Sequence, residues 1–305
     1  MAWLIDDTPD FRPGARLRDL INSPGVLKVP GAPNGLFARI ARRAGFKALY
    51  LSGAGLSGAL GLPDLELTTL DEVAFFTRIV ARSSGLPLIV DADTGFGSVL
   101  SVTRTVRELE AAGAAAIQIE DQSSPKKCGH LGGKSLVTAG EMAARVNAAA
   151  IARRDAMIVA RTDAAAVEGV DRAIERARLY REAGADIIFA EALTDGESFR
   201  RFASEIDAPI LANMTEFGLT PYFSAAEFES FGVKIVIWPV SALRVAARAA
   251  AELYAMLNDA GSVAPLTPKM FTRDELAETL NYHGYEKRDQ ELAKWTRNNI
   301  GQPKS

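Results

Sequence analysis

Residues 87–121 read PLIVDADTGFGSVLSVTRTVRELEAAGAAAIQIED. The first five form an apolar run that closes on a carboxylate, Asp91. A turn bearing Gly95 and Gly97 follows, then a helical pattern over 99–112. That pattern stops at Gly113, the residue type that ends helices in the left-handed conformation. A second apolar run, 115–120, closes on Glu120. Strands that are apolar throughout, rather than alternating, are expected where helices cover a parallel sheet on both faces.

Outward from this unit, the same alternation repeats along the chain. Strands are predicted at 26–30, 48–52, 87–91, 115–120, 157–161, 187–191, 209–213 and 234–238. Helices are predicted at 33–44, 70–84, 99–112, 139–153, 171–183, 195–206, 225–231 and 241–258. Eight βα units in series predict an α/β fold, a closed (β/α)8 TIM barrel. The alternative is a doubly wound open sheet, which is disfavoured because no Gly-x-Gly-x-x-Gly turn follows the first strand. An N-terminal helical segment, 11–23, is expected to plug the barrel bottom. After the eighth helix come a linker, 261–268, and a polar helical tail, 273–299, with Leu276, Leu280, Tyr282, Tyr285, Leu292 and Trp295. The expected division is a catalytic barrel over 1–260 and a C-terminal helical extension over 261–305 that packs on a neighbouring subunit.

The chain has 305 residues, enough for one barrel of ~250 residues plus that tail. Apolar residues make up 48%, so a large core can be buried. The formal net charge is −3, and basic residues cluster only in short pairs such as Arg42-Arg43, which excludes a nucleic-acid partner. A single cysteine cannot form an intrachain disulfide, in keeping with a reducing cytoplasm. No signal peptide and no membrane span are expected.

Polar residues gather where the predicted strands end. These include Tyr50 and Ser52-Gly53-Ala54-Gly55, Asp91 and Asp93, Glu120-Asp121, Arg161-Thr162-Asp163, Glu191, Asn213-Met214-Thr215-Glu216, and Arg244. Ionisable groups after apolar strands are costly unless they face a polar cavity. In a barrel, these positions form the catalytic face. Asp91 and Asp93 lie two apart, so on an extended strand both carboxylates would point the same way; with Glu120 they make a hard-oxygen cluster suited to Mg²⁺, with Mn²⁺ also possible. The Asp pair alone also reads, less readily, as a solvated strand end. No His/Cys cluster has zinc spacing. Arg161, Arg244 and Arg273 could clamp carboxylates, although each alone reads as a salt-bridge partner. Met214 reads by its chemistry as packing. After the fourth strand comes Lys126-Lys127-Cys128-Gly129-His130. A thiol beside cations has a lowered pKa and can give and take a proton near neutrality. A lone cysteine on such a loop also reads as a small apolar residue.

These motifs resemble the isocitrate lyase / phosphoenolpyruvate mutase superfamily, and within it the methylisocitrate lyase family, over nearly the whole chain. Lys126-Lys127-Cys128-Gly129-His130 resembles the lyase signature, and Asp91-Ala-Asp93-Thr-Gly-Phe-Gly97 resembles the metal motif. Tyr50-Leu-Ser-Gly53 and Gly61-Leu-Pro-Asp64 fit the same pattern. Asn213-Met-Thr-Glu-Phe-Gly218 distinguishes methylisocitrate from isocitrate lyases. Departures are Leu131-Gly-Gly-Lys134 after His130, and Ala54 where many relatives have glycine.

The resemblance implies a Mg²⁺-dependent carbon–carbon lyase acting on a small carboxylate. Asp91, Asp93 and Glu120 would hold the metal, Cys128 would be the proton donor and Tyr50 the base, with Lys126 and His130 tuning the thiol. Substrate contacts would be Ser52, Gly53, Ala54, Asp64, Gly129, Arg161, Glu191, Asn213, Met214, Thr215, Arg244 and Arg273. The loop 123–134 would close over substrate. A cytoplasmic homotetramer with a swapped C-terminal helix is expected. Alternatives on the same barrel are an isocitrate or 2,3-dimethylmalate lyase, then a phosphonopyruvate mutase or hydrolase, or an oxaloacetate decarboxylase.

Overall fold

The computed structural model describes residues 12–127, 129 and 132–299, the side chains of 295–299 excepted. Eight parallel strands form a single sheet: β1 (Leu27–Pro30), β2 (Leu49–Leu51), β3 (Leu88–Asp91), β4 (Ala116–Glu120), β5 (Met157–Thr162), β6 (Ile187–Ala190), β7 (Ile210–Asn213) and β8 (Ile235–Trp238). Pairing runs round the sheet from β1 to β8 and on down to β2. The remaining gap is closed by a parallel bridge between Gly31 and Tyr50, and the Ala32 amide donates to the Tyr50 carbonyl at 2.9 Å. An open sheet would leave those two edges apart, so the fold is a barrel.

Each strand divides its residues between two cores. Ile89, Val159, Phe189, Leu211 and Ile235 fill the barrel interior. Their neighbours Val90, Ile158, Ile188, Ala212 and Val236 meet the helices outside. This alternation follows from the period of two in a strand. Full burial of each large side chain contributes about 1.5–3 kcal/mol.

The surrounding helices are α1 (Pro13–Asn22), α2 (Gly35–Arg43), α3 (Gly53–Ala59), α4 (Leu70–Ser84), α5 (Val99–Ala112), α6 (Ala139–Ala152), α7 (Ala164–Val167), α8 (Val170–Glu182), α9 (Gly196–Glu205), α10 (Ala225–Ser230) and α11 (Ser241–Ala260). Local chemistry sets their ends. Thr69 and Glu72 cap each other's backbone at the start of α4, and Gly85 ends that helix at φ 62°. Gly113 ends α5 at φ 108°. Two short helices, α3 and α7, were not expected.

Leu17 and Ile21 of α1 join the interior core, and the Gly14 amide donates to Asp155 at 2.7 Å, just ahead of β5. The expected plug is therefore in place, over the part of 11–23 that is described. Beyond α11 come a 3₁₀ turn (Ala264–Lys269), α12 (Arg273–Leu280) and α13 (Tyr282–Asn299). The tail expected as one helix is two, because Asn281 adopts a left-handed conformation, φ 57°. Arg43 of α2 ties α12 down, bonding Thr279 at 2.9 Å and Glu278 at 3.0 Å. Leu276, Leu280, Tyr282 and Leu292 are exposed on this chain, and the Trp295 side chain lies outside the described residues. No described helix is long and apolar enough to cross a membrane.

Candidate active site

The strand C-termini surround a cavity of about 240 Å³. Tyr50, Ser52, Ala54, Asp64, Asp91, Lys126, Gly129, Arg161, Glu191, Asn213, Thr215 and Arg244 all line it. Four expected residues stand elsewhere or could not be placed. Arg273 is exposed at the start of α12, so this chain does not bring it to the cavity. Cys128 and His130 lie outside the described residues, although Lys126 and Gly129 both line the cavity. Met214 is buried and its sulfur accepts from the Phe223 amide at 3.3 Å, which is a packing role.

One wall is made of carboxylates. Ser52 caps α3, and the helix's first residue, Gly53, donates its amide to Asp91 Oδ2 at 3.1 Å. A Cβ at Gly53 would lie 3.0 Å from Asp93 Oδ1 and 3.2 Å from Asp91 Oδ2, so only glycine fits without displacing them. The two carboxylates face one point, but not through the strand pleat that their spacing suggested. β3 ends at Asp91, and Asp93 turns back with φ 47°. Gln118 stands beside them, donating to Asp91 Oδ1 at 2.9 Å and accepting from the Tyr50 hydroxyl at 2.6 Å.

Burial, then the neighbouring Asp91, pushes Asp93 up to about 7. Burial likewise raises Glu120, whose Oε1 is buried with no hydrogen-bond partner among the described residues. Crowded, desolvated carboxylates with an orphaned oxygen fit a divalent cation. Among the described residues no group of three His, Cys, Asp or Glu side chains converges as a metal site. The fit is therefore to Mg²⁺ held by one or two carboxylates, with water and substrate oxygens completing its shell.

The same burial acts on Tyr50. Its pKa is raised well above 10, first by burial and then by Asp91. The phenol accordingly donates a hydrogen bond to Gln118 at 2.6 Å.

Cations stand directly against these carboxylates. Lys126 contacts Asp64 and stands 2.8 Å from Asp93 Oδ1. Burial works to lower its pKa, but Asp93, Glu120, Asp91 and Asp64 raise it further, so the ammonium persists. Arg161 binds Asp163 through two nitrogens, at 2.8 and 3.1 Å, and its guanidinium lies over the Phe189 ring, 5.2 Å from the centroid. Its Nε is 3.3 Å from Glu120, and Nη1 is 3.6 Å from Glu191. Asn213 donates to Glu191 at 3.4 Å. Arg244 is engaged by Thr215 at 3.1 Å and Glu216 at 2.8 Å, at the cavity rim.

Gln118 and Lys134 escaped the sequence reading as site residues, and Asp163 was read only as one of the polar strand ends. Lys134 is buried between the Gly129 carbonyl and Asp163, 2.8 Å from the carboxylate. Gln118 carried a readable signal, a polar residue inside an apolar strand. Asp121, grouped in sequence with the strand ends, faces away from the cavity. It accepts from Thr162, Asp163 and Tyr180 at 2.7–2.9 Å.

Residues 17–257 match the protein family described as Phosphoenolpyruvate phosphomutase. A 2-methylisocitrate lyase of Aeropyrum pernix is 53% identical over 294 residues, covering 96% of this chain and 95% of the relative. The solved structure of a 2,3-dimethylmalate lyase, a member of the PEP mutase/isocitrate lyase superfamily, superposes with TM-score 0.88 at 36% identity, covering 97% of this chain and all of the other. A phosphonopyruvate hydrolase solved with oxalate and Mg²⁺ superposes with TM-score 0.80 at 28% identity, over 95% of this chain and 99% of that one.

Proposed function

This chain belongs to the phosphoenolpyruvate phosphomutase family, and from that premise we propose that it cleaves (2S,3R)-2-methylisocitrate to pyruvate and succinate, as a carbon–carbon lyase of propionate catabolism by the methylcitrate cycle. The observation that carries the reading is the cavity itself. Carboxylates interleaved with Lys126 and Arg161 around one cavity suit a polyanionic substrate bound beside a cation. The 53% identity to a 2-methylisocitrate lyase, against 36% to a dimethylmalate lyase, supports this order among substrates.

Asp91 and Asp93, with Glu120 behind them, would hold Mg²⁺. When bound, Mg²⁺ would polarise the substrate's 2-oxygen and its adjacent carboxylate. Arg161, fixed by Asp163, and Asn213, bonded to Glu191, orient the remaining carboxylates. The substrate hydroxyl gives its proton to Tyr50 acting as phenolate, and the oxygen's electron pair forms the pyruvate carbonyl as the C2–C3 bond breaks. That bond's electrons pass to the succinate fragment, a carbanion equivalent. Cys128 gives its proton to that carbon, with His130 tuning the thiol and Lys126 stabilising the charge. Tyr50 is oriented by its hydrogen bond to Gln118, which in turn donates to Asp91, and a cation held by Asp91 would favour the phenolate. The exposed apolar residues of α12 and α13 are covered by another copy of the chain in a cytoplasmic homotetramer.

A substrate panel tests the reading. With Mg²⁺, pyruvate release from 2-methylisocitrate should exceed cleavage of isocitrate and of 2,3-dimethylmalate at least about tenfold, the scale of a methyl-sized discrimination. EDTA should abolish it. Preference for either rival substrate would move the assignment to that lyase.

A further inference from the structure

Glu66, in the loop between α3 and α4, has φ 61°, a left-handed backbone that favours glycine. Its side chain joins three segments. Oε1 accepts from the Thr94 hydroxyl. Oε2 accepts from the Ser124 hydroxyl at 2.7 Å and from the Lys126 amide at 3.3 Å. Thr94 follows Asp93 directly, and the Lys126 ammonium is 2.8 Å from Asp93. One carboxylate therefore holds the backbone of Lys126 and the residue next to Asp93, bracketing the ion pair between them. Asp64, two residues earlier on the same loop, takes the other side of that ammonium.

We propose that Glu66 is a positioning residue for Lys126 in the lyase reaction, an inference that rests on the reading above for what Lys126 does. The left-handed backbone is retained because the carboxylate seats the start of the Lys126–Gly129 loop against the end of β3. The fold does not need it. A glycine would occupy the same backbone without strain, yet would leave Ser124 and the Lys126 amide without this acceptor.

The test compares Glu66→Gly and Glu66→Gln in the full chain. Glu66→Gly should melt within about 2 °C of wild type, because relief of the left-handed strain offsets added chain entropy and lost hydrogen bonds. Its kcat should fall about ten- to a hundredfold, the cost of a small misplacement, with KM changed less than about threefold. Glu66→Gln keeps an acceptor for Ser124 and Lys126 and should retain most of kcat. Hydrogen exchange at the amides of 122–124, 126 and 127 should quicken in Glu66→Gly and not in Glu66→Gln, whatever substrate is used. Wild-type kcat and exchange in Glu66→Gly would overturn the positioning role, as would a drop in melting temperature that accounts for the lost activity. If the exchange response appears but wild type does not cleave 2-methylisocitrate, the substrate reading fails and the positioning stands.

Discussion

Gly129 lies so close to Arg161 that a Cβ on the glycine would stand 2.2 Å from the guanidinium. The same carbon would sit 2.6 Å from Glu191 Cγ. Both partners are buried and held by other groups, so neither can yield cheaply. Gly129→Ala should lower kcat/KM by about a hundredfold through loss of loop seating. Its melting temperature should stay within about 3 °C, since loops contribute little to global stability. Steady-state kinetics and a thermal melt check both.

Asp93 sets a pH dependence for metal binding. Its folded pKa of about 7 lies above the unfolded carboxylate value of about 3.9. The stability it contributes is therefore full below the unfolded value and is lost as pH rises through about 7. A divalent cation must displace that proton at low pH but not at high pH. The rise in melting temperature on adding MgCl₂ should be larger at pH 8 than at pH 6, and Asp93→Asn should abolish the difference. Equal shifts at both pH values in wild type would count against Asp93 as a ligand.

Arg161→Lys keeps the charge and loses the planar fork onto Asp163. Loss of one charge-assisted hydrogen bond, about 1.5–3 kcal/mol, predicts a tenfold to hundredfold fall in kcat/KM. If Arg161 orients substrate carboxylates as proposed, the change should fall mainly on KM. Initial-rate measurements over substrate concentration would separate the two constants.

Asp121 serves the fold. Its removal in Asp121→Ala strands the Thr162 hydroxyl, the Asp163 amide and the Tyr180 hydroxyl in a buried site. Stability should drop by about 3 kcal/mol. Urea unfolding monitored by circular dichroism reads that value directly.

The barrel was legible because parallel strands buried on both faces must be apolar throughout. All eight appear within a residue or so of their predicted bounds. The carboxylate wall was legible too, since charged residues at strand ends have few other uses. The reason given for the Asp91–Asp93 pair was wrong, because the chain turns at Asp93. The glycine-rich stretch after β2 read as a ligand loop, yet it forms α3, where capping by Ser52 outweighs poor helix propensity. The break at Asn281 left no mark in a polar helical pattern. Glu66, Asp163 and Lys134 act through partners 28 to 60 residues away in sequence or across a loop, and only tertiary structure brings these together.

The central claim is that the loop between Lys126 and Gly129 delivers a proton from Cys128 to the carbanionic fragment in this cavity. The most direct measurement is pyruvate release from 2-methylisocitrate with Mg²⁺, wild type against Cys128→Ser, with circular dichroism confirming that the variant folds. Loss of the acid should slow release by about a hundredfold to ten-thousandfold. A folded Cys128→Ser enzyme that works at the wild-type rate would contradict it.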